Sequence, residues 1–232
     1  MDISASTALV TGANRGFGQA LAAELISRGA RVYAGARDPA SVSLPGAIPV
    51  ALDITDPASV AAAADTAAGI TLLVNNAGVG TGASLLDGDL EKLRLEMDTH
   101  FFGTLAVTRA CAPKIAANGG GCILNILSAL SWISFPRVGG YCAAKSAEWS
   151  LTNALRQELA PQGIRVSGLH VGYMDTDMTV RVNAPKLDVS DVAVTAVDGI
   201  AAGDYEILAD ELSQKLQAAL AGGVTALYPD LP

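Results

Sequence analysis

The segment Thr11-Gly-Ala-Asn-Arg-Gly-Phe-Gly18 limits the possible fold more than any other feature of the chain. A short apolar run from Thr7 to Thr11 precedes it, and a helical pattern from Gly16 to Arg28 follows, with Leu21, Ala22, Leu25 and Ile26 on one face. A strand that passes through closely spaced glycines straight into a helix is a unit built for close approach. Gly12 permits a tight turn, Gly16 lets the backbone come near a bound group, and Gly18 lets the helix pack on the strand. The free N–H groups at the helix start then suit a phosphate. An ordinary strand-to-helix turn is the alternative, and the rest of the chain must decide between them.

Strand-like runs recur at Arg31 to Ala36, Ile48 to Leu52, Ile70 to Val74, Cys122 to Leu127, Ile164 to His170 and Tyr205 to Leu208. Between them lie helical patterns at Pro57 to Gly69, Leu90 to Ala117 with an irregularity near Gly103, Gly140 to Ala160, Asp191 to Ala201 and Asp210 to Ala221. This alternation predicts an α/β fold: a doubly wound, Rossmann-like parallel sheet with helices on both faces, one domain over residues 1–232. Half the residues are hydrophobic and 16% are charged, which excludes disorder. With 15 basic against 23 acidic residues, a net charge of −8 argues against nucleic-acid and membrane partners and for a small molecule. No uncharged apolar run reaches the roughly 18 residues of a membrane helix. Three cysteines, Cys111, Cys122 and Cys142, lack metal-ligand spacing and read as buried free thiols of a cytoplasmic protein.

Further motifs stand at telling intervals: Asn75-Asn-Ala-Gly78 after the fourth strand, Ser128, Tyr141-Cys-Ala-Ala-Lys145, and Gly172 with Thr176 after the sixth strand. Tyr141 and Lys145 are one helical turn apart, so both side chains leave on one face, and an ammonium beside a phenol favours its ionised form. Together with the G-x-x-x-G-x-G turn, this order of motifs resembles the short-chain dehydrogenase/reductase family over almost the whole chain. The resemblance implies an oxidoreductase moving a hydride between a nicotinamide dinucleotide and a ketone or secondary alcohol. Tyr141 would be the general acid/base, Ser128 would hold the reacting oxygen, and Lys145 would tune Tyr141 and bond the ribose. The resemblance also implies the cofactor contacts. Gly12, Asn14, Arg15, Gly16, Phe17 and Gly18 fall at the phosphates, Asp53 and Ile54 at the adenine, and Asn75, Ala77 and Gly78 along the adenosine. Gly172, Met174 and Thr176 fall at the nicotinamide.

An acidic residue at the end of the second strand would bind a ribose 2′-hydroxyl, but Ala36 and Arg37 stand there. Arg37, with Arg15, points instead to a 2′-phosphate and hence to NADP(H). NAD(H) is the alternative that Asp38 would restore. The chain departs from the family pattern at His100, where an asparagine is usual. This histidine either serves a proton relay or packs a helix. A second departure is Val171, which replaces a proline and predicts a looser turn. The short stretch from Thr176 to Asp191 predicts an open site. Trp132 and Tyr173, with Phe135 nearby, predict an aromatic-rimmed pocket for a bulky apolar substrate held by Ser128 and Tyr141. Apolar faces on the helices starting near Leu90 and Gly140 predict a homodimer or homotetramer. A dinucleotide-binding regulator or scaffold with little turnover is the rival reading. A hydrolase is disfavoured, because Gly82-Ala-Ser84 lacks the closing glycine of a nucleophile elbow.

Overall fold

The computed structural model describes residues 1–231. Its strands are β1 (Thr7–Thr11), β2 (Arg31–Ala36), β3 (Ala47–Ala51), β4 (Leu72–Asn75), β5 (Gly121–Ile126), β6 (Ile164–His170) and β7 (Glu206–Leu208). The helices are α1 (Gly16–Ser27), α2 (Pro57–Thr66), α3 (Leu90–Met97), α4 (Thr104–Ala117), α5 (Gly139–Leu159), α6 (Val189–Ala202), α7 (Glu211–Ala219) and α8 (Gly223–Leu227). All strand pairs are parallel, in the order β3-β2-β1-β4-β5-β6-β7. The winding therefore reverses between β1 and β4. In open sheets of this kind a ligand binds at that switch, outside the carboxyl ends of the strands.

Successive residues of each strand feed two separate cores. Ala8, Val10, Val32, Leu72, Leu124 and Leu169 face α1 and α6. Leu9, Tyr33, Leu73, Ile123 and Val166 face α2, α4 and α5. Each large side chain so buried contributes about 1.5–3 kcal/mol. Aspartates start several helices: Asp56, Asp89, Asp188 and Asp210 each accept a backbone N–H of the first turn. Cys111, Cys122 and Cys142 are free and buried. Among the described residues no helix is long and apolar enough to cross a membrane.

Two elements differ from the sequence expectation. The pattern from Leu90 to Ala117 is two helices, joined by one turn of π-helix over Asp98–Gly103. At Gly103 a methyl group would stand 2.8 Å from Ile54 Cδ1 and 3.1 Å from the Asp98 carbonyl oxygen, so a larger residue there would have to push Ile54 aside. The wide turn carries His100 into the interior, at 1% exposure. At the other end of the chain α7 stops at Ala219, and after one 3-10 turn over Leu220–Gly222 a short helix α8 starts at Gly223.

Candidate active site

The glycine turn fits an anion by shape. Gly12 and Gly16 adopt φ of 65° and 54°, in the left-handed region that glycine occupies without strain. A methyl group on Gly18 would lie 2.2 Å from the Gly12 carbonyl oxygen, so α1 rests directly on the turn. Asn76 locks the arrangement, its side-chain amide donating to the carbonyls of Thr11 at 2.9 Å and Gly12 at 3.2 Å. Thr11 Oγ1 in turn accepts the N–H groups of Asn76 and Ala77 at 2.9 Å. Arg15 precedes α1 and gives no side-chain cap, and the first turn holds no acidic residue. The leading N–H groups of α1 thus stay unclaimed at the positive end of the helix dipole. The Phe17 side chain is buried in the core, leaving only its backbone to the turn.

The neighbouring cleft residues converge from three strands. Asp53 accepts from the hydroxyl and the N–H of Thr55, which hold its carboxyl below the ordinary value, with Arg37 adding to the effect. Exposed Arg37 and half-buried Asp53 therefore share one end of the cleft. Asn14 bonds Ser41 at 3.1 Å. Arg15 meets Asp177 at 2.9 Å, joining the glycine turn to the segment after β6, and both side chains are more than two-thirds exposed. A methyl group on Gly16 would come 3.6 Å from Thr176 Cγ2. The segment from Met174 to Leu187 is pinned at its neck, with Leu187 N donating to Tyr173 O at 2.8 Å and Asp175 N to Leu187 O at 3.0 Å. The turn at Val171 is held from a distance, because Gly172 N donates to the Asp210 carboxylate at 2.6 Å.

Two expected cofactor contacts are committed elsewhere through their side chains. The amide of Asn75 bonds Thr108 and Asn125 in the interior, and it is Asn76 that serves the glycine turn. Ile54 packs over Gly103 at 8% exposure. Gly78 is where the strap after β4 passes His100, and a methyl group there would lie 2.7 Å from the imidazole.

Ser128 follows β5 and opens a short turn, its Oγ accepting Leu130 N at 3.1 Å, and its hydroxyl faces the phenol of Tyr141 on α5. Lys145, 5% exposed, lies with Nζ 5.9 Å from the centre of the Tyr141 ring. That Nζ donates to the Ile126 carbonyl and to Glu148 Oε2, each at 2.6 Å. Burial alone would lower the pKa of Lys145, but Glu148 and Tyr141 hold it above the ordinary value. Burial raises the phenol of Tyr141, Lys145 opposes the rise and Glu148 adds to it. His100 sits edge-on to Tyr141, ring centres 5.2 Å apart, with Nε2 2.7 Å from the Val79 carbonyl. Burial and the charge of Lys145 push its pKa down to about 3, so the imidazole is neutral.

On the far side of Ser128 lies the second histidine. His170 Nε2 is 2.7 Å from Glu206, and its Nδ1 is 3.3 Å from the Ser128 carbonyl. The Trp132 indole stacks on that imidazole at 3.8 Å and is 8% exposed. This corrects the expectation that Trp132 lines a substrate pocket, since its ring belongs to the packing behind Ser128. Tyr173 is half-buried beside the pinned neck. The sequence reading missed Met178, which packs on Gly80, itself in contact range of Tyr141. It also missed two buried carboxylates, Glu148 and Glu96, the latter accepting from Thr81 N at 2.7 Å and Thr81 Oγ1 at 2.8 Å.

A short chain dehydrogenase family model matches residues 6–187. A short chain dehydrogenase from Burkholderia cenocepacia J2315, solved in complex with NADP, superposes with a TM-score of 0.95 at 38% identity, covering 100% of both chains. The D-erythrulose reductase of Gallus gallus is 36% identical over 74% of this chain and 72% of its own length. The 1-deoxy-11-beta-hydroxypentalenate dehydrogenase of Streptomyces avermitilis is 33% identical over 84% of this chain and 78% of its own. With the Rossmann-like sheet and the glycine turn at its switch point, these matches show that the chain belongs to the short chain dehydrogenase family of oxidoreductases.

Proposed function

We propose that this protein is an NADP(H)-dependent carbonyl reductase or alcohol dehydrogenase acting on apolar ketones or the matching secondary alcohols. The observation that carries the reading is the convergence of Ser128, Tyr141 and Lys145 beyond the end of β5, beside a helix start whose N–H groups are unclaimed. The residues fit a dinucleotide. The glycine turn and α1 would hold the pyrophosphate, Arg37 and Arg15 a 2′-phosphate, and Asp53 with the Ile54 backbone the adenine. Lys145 would take the ribose, and Thr176 with the Met174 backbone the nicotinamide amide. Bound there, the dinucleotide supplies or accepts the hydride at the carbonyl carbon. Ser128 Oγ then orients the substrate oxygen, and Tyr141 gives that oxygen a proton on reduction or takes it back on oxidation. The NADP-bound relative at 38% identity supports the choice of cofactor.

An apolar substrate is supported by the side chains that rim this end of the cleft. Leu85 lies against Gly139, two residues before Tyr141, and Met178 reaches Gly80; they are 59% and 51% exposed. His100 acts by packing in this reading, since its neutral ring holds Val79 and the edge of Tyr141. Exposed Leu95 and Phe102 support self-association into a homodimer or homotetramer. The test is a panel of apolar and polar ketones followed at the nicotinamide absorbance with each cofactor. We expect turnover on the apolar members and a KM for NADPH at least about tenfold below that for NADH. No turnover on any member, or an equal KM for NADH, contradicts the reading.

A further inference from the structure

Glu148 is a buried charge that takes no part in the hydride or proton transfer. It follows Tyr141 by seven positions and Lys145 by three, so all three side chains leave α5 on one face. It is 1% exposed, and besides Lys145 its carboxylate accepts from Thr104 Oγ1 at 3.2 Å. A carboxylate removed from water costs several kcal/mol unless a cation and hydrogen bonds offset it, and here Lys145 at 2.6 Å does so. The same contact changes what Lys145 presents to the phenol. An ammonium alone favours the phenolate, whereas an ammonium held against a carboxylate presents a dipole, whose field at the phenol is much weaker.

We propose that Glu148 is a positioning residue of this site. Its carboxylate fixes the Lys145 ammonium and offsets part of its charge, so that Tyr141 stays a protonated phenol and the site is set to donate a proton to a carbonyl. The inference rests on the reading of Tyr141 as general acid. The groups facing the pair support it from every side. On α5 they are Tyr141 and the thiol of Cys142, which burial keeps neutral. The π turn offers the neutral imidazole of His100, its Nδ1 3.8 Å from Glu148 and without a partner. β5 offers only the Ile126 carbonyl and α4 only the Thr104 hydroxyl. Glu96 of α3 gives Oε1 to Thr81, while its buried Oε2, without a hydrogen-bond partner, lies beside Gly140 at the start of α5. No second cation among these groups replaces the charge that Glu148 offsets.

The test is an ultraviolet tyrosinate titration of the full chain without cofactor or substrate, with the Tyr141→Phe spectrum subtracted in each background. In the wild type the Tyr141 midpoint is expected at or above the ordinary value of about 10. Glu148→Gln keeps an acceptor oxygen for Lys145 but removes the negative charge, and is expected to lower the midpoint by about one unit or more. The alkaline limb of kcat/KM for ketone reduction is expected to fall with it. Glu148→Asp, which restores the charge, is expected to return the midpoint most of the way. A wild-type midpoint well below 9, or one that Glu148→Gln leaves unmoved, overturns the proposal whether or not the variants are stable. Because the titration needs no turnover, its failure is distinct from failure of the functional reading. Loss of turnover in Tyr141→Phe with an unmoved midpoint would remove Glu148 from the account and leave Tyr141 in it.

Discussion

Around the glycine turn the molecule works with backbone and empty space: Gly18 against the Gly12 carbonyl, Asn76 tying the turn together, and α1 left uncapped. Around Tyr141 it works with charge, gathering Lys145, Glu148 and His100 at 5% exposure or less. The first region is intolerant of added atoms, because the contact that would clash is backbone and cannot swing away. The second is governed by which protons are present, because a single unit charge in a dry site outweighs a change of one methylene. Shape substitutions should therefore break one region and charge substitutions the other.

The largest effect is expected at the turn. Gly18→Ala places a methyl group 2.2 Å from a backbone oxygen, so α1 must lift from the sheet. A loss of about 3 kcal/mol in urea unfolding and of NADPH binding by fluorescence is expected. Wild-type stability in this variant would dissolve the contrast between the two regions.

A smaller effect, confined to acid, is expected at His100. Its pKa is about 3 in the folded chain against 6.5 when exposed, so below 6.5 the unfolded chain takes up a proton that the folded one refuses. Stability conferred by the neutral ring is complete above pH 6.5 and is lost as pH falls toward 3, by up to about 1.4 kcal/mol per unit. Between pH 6.5 and 4.5 the wild type is expected to lose about 2–3 kcal/mol more than His100→Asn. Equal losses would mean that the imidazole is protonated in place and that the charge account is wrong.

The smallest effect sharpens the comparison. Arg15 and Asp177 are 72% and 77% exposed, so their bridge contributes little. Asp177→Ala is expected to change the KM for NADPH by less than about threefold. A much larger change would show that charge matters at the glycine turn as well.

The sequence made the first region readable and the second only partly so. Strand alternation and glycine spacing are local patterns, and β1, the turn and α1 follow from them almost residue by residue. Tyr141 and Lys145 were legible for the same reason, being one helical turn apart. Glu148 continues their face, yet an acidic residue on an amphipathic helix reads as solvent-facing. What buries it is the π turn and Thr104, which arrive from more than forty residues upstream. The sequence showed that turn only as an irregularity near Gly103, because the two helices that flank it, α3 and α4, follow one another without a break. Trp132 misled in the opposite sense, since its indole is taken up by His170 from β6, a partner no local pattern reveals.

The central claim is that the phenol of Tyr141 moves the proton. Tyr141→Phe removes one oxygen and leaves the ring, Lys145 and the glycine turn in place. Measured at the nicotinamide absorbance with NADPH and an accepted ketone, kcat is expected to fall about a thousandfold while NADPH still binds. A variant that turns over within tenfold of the wild type would contradict the account.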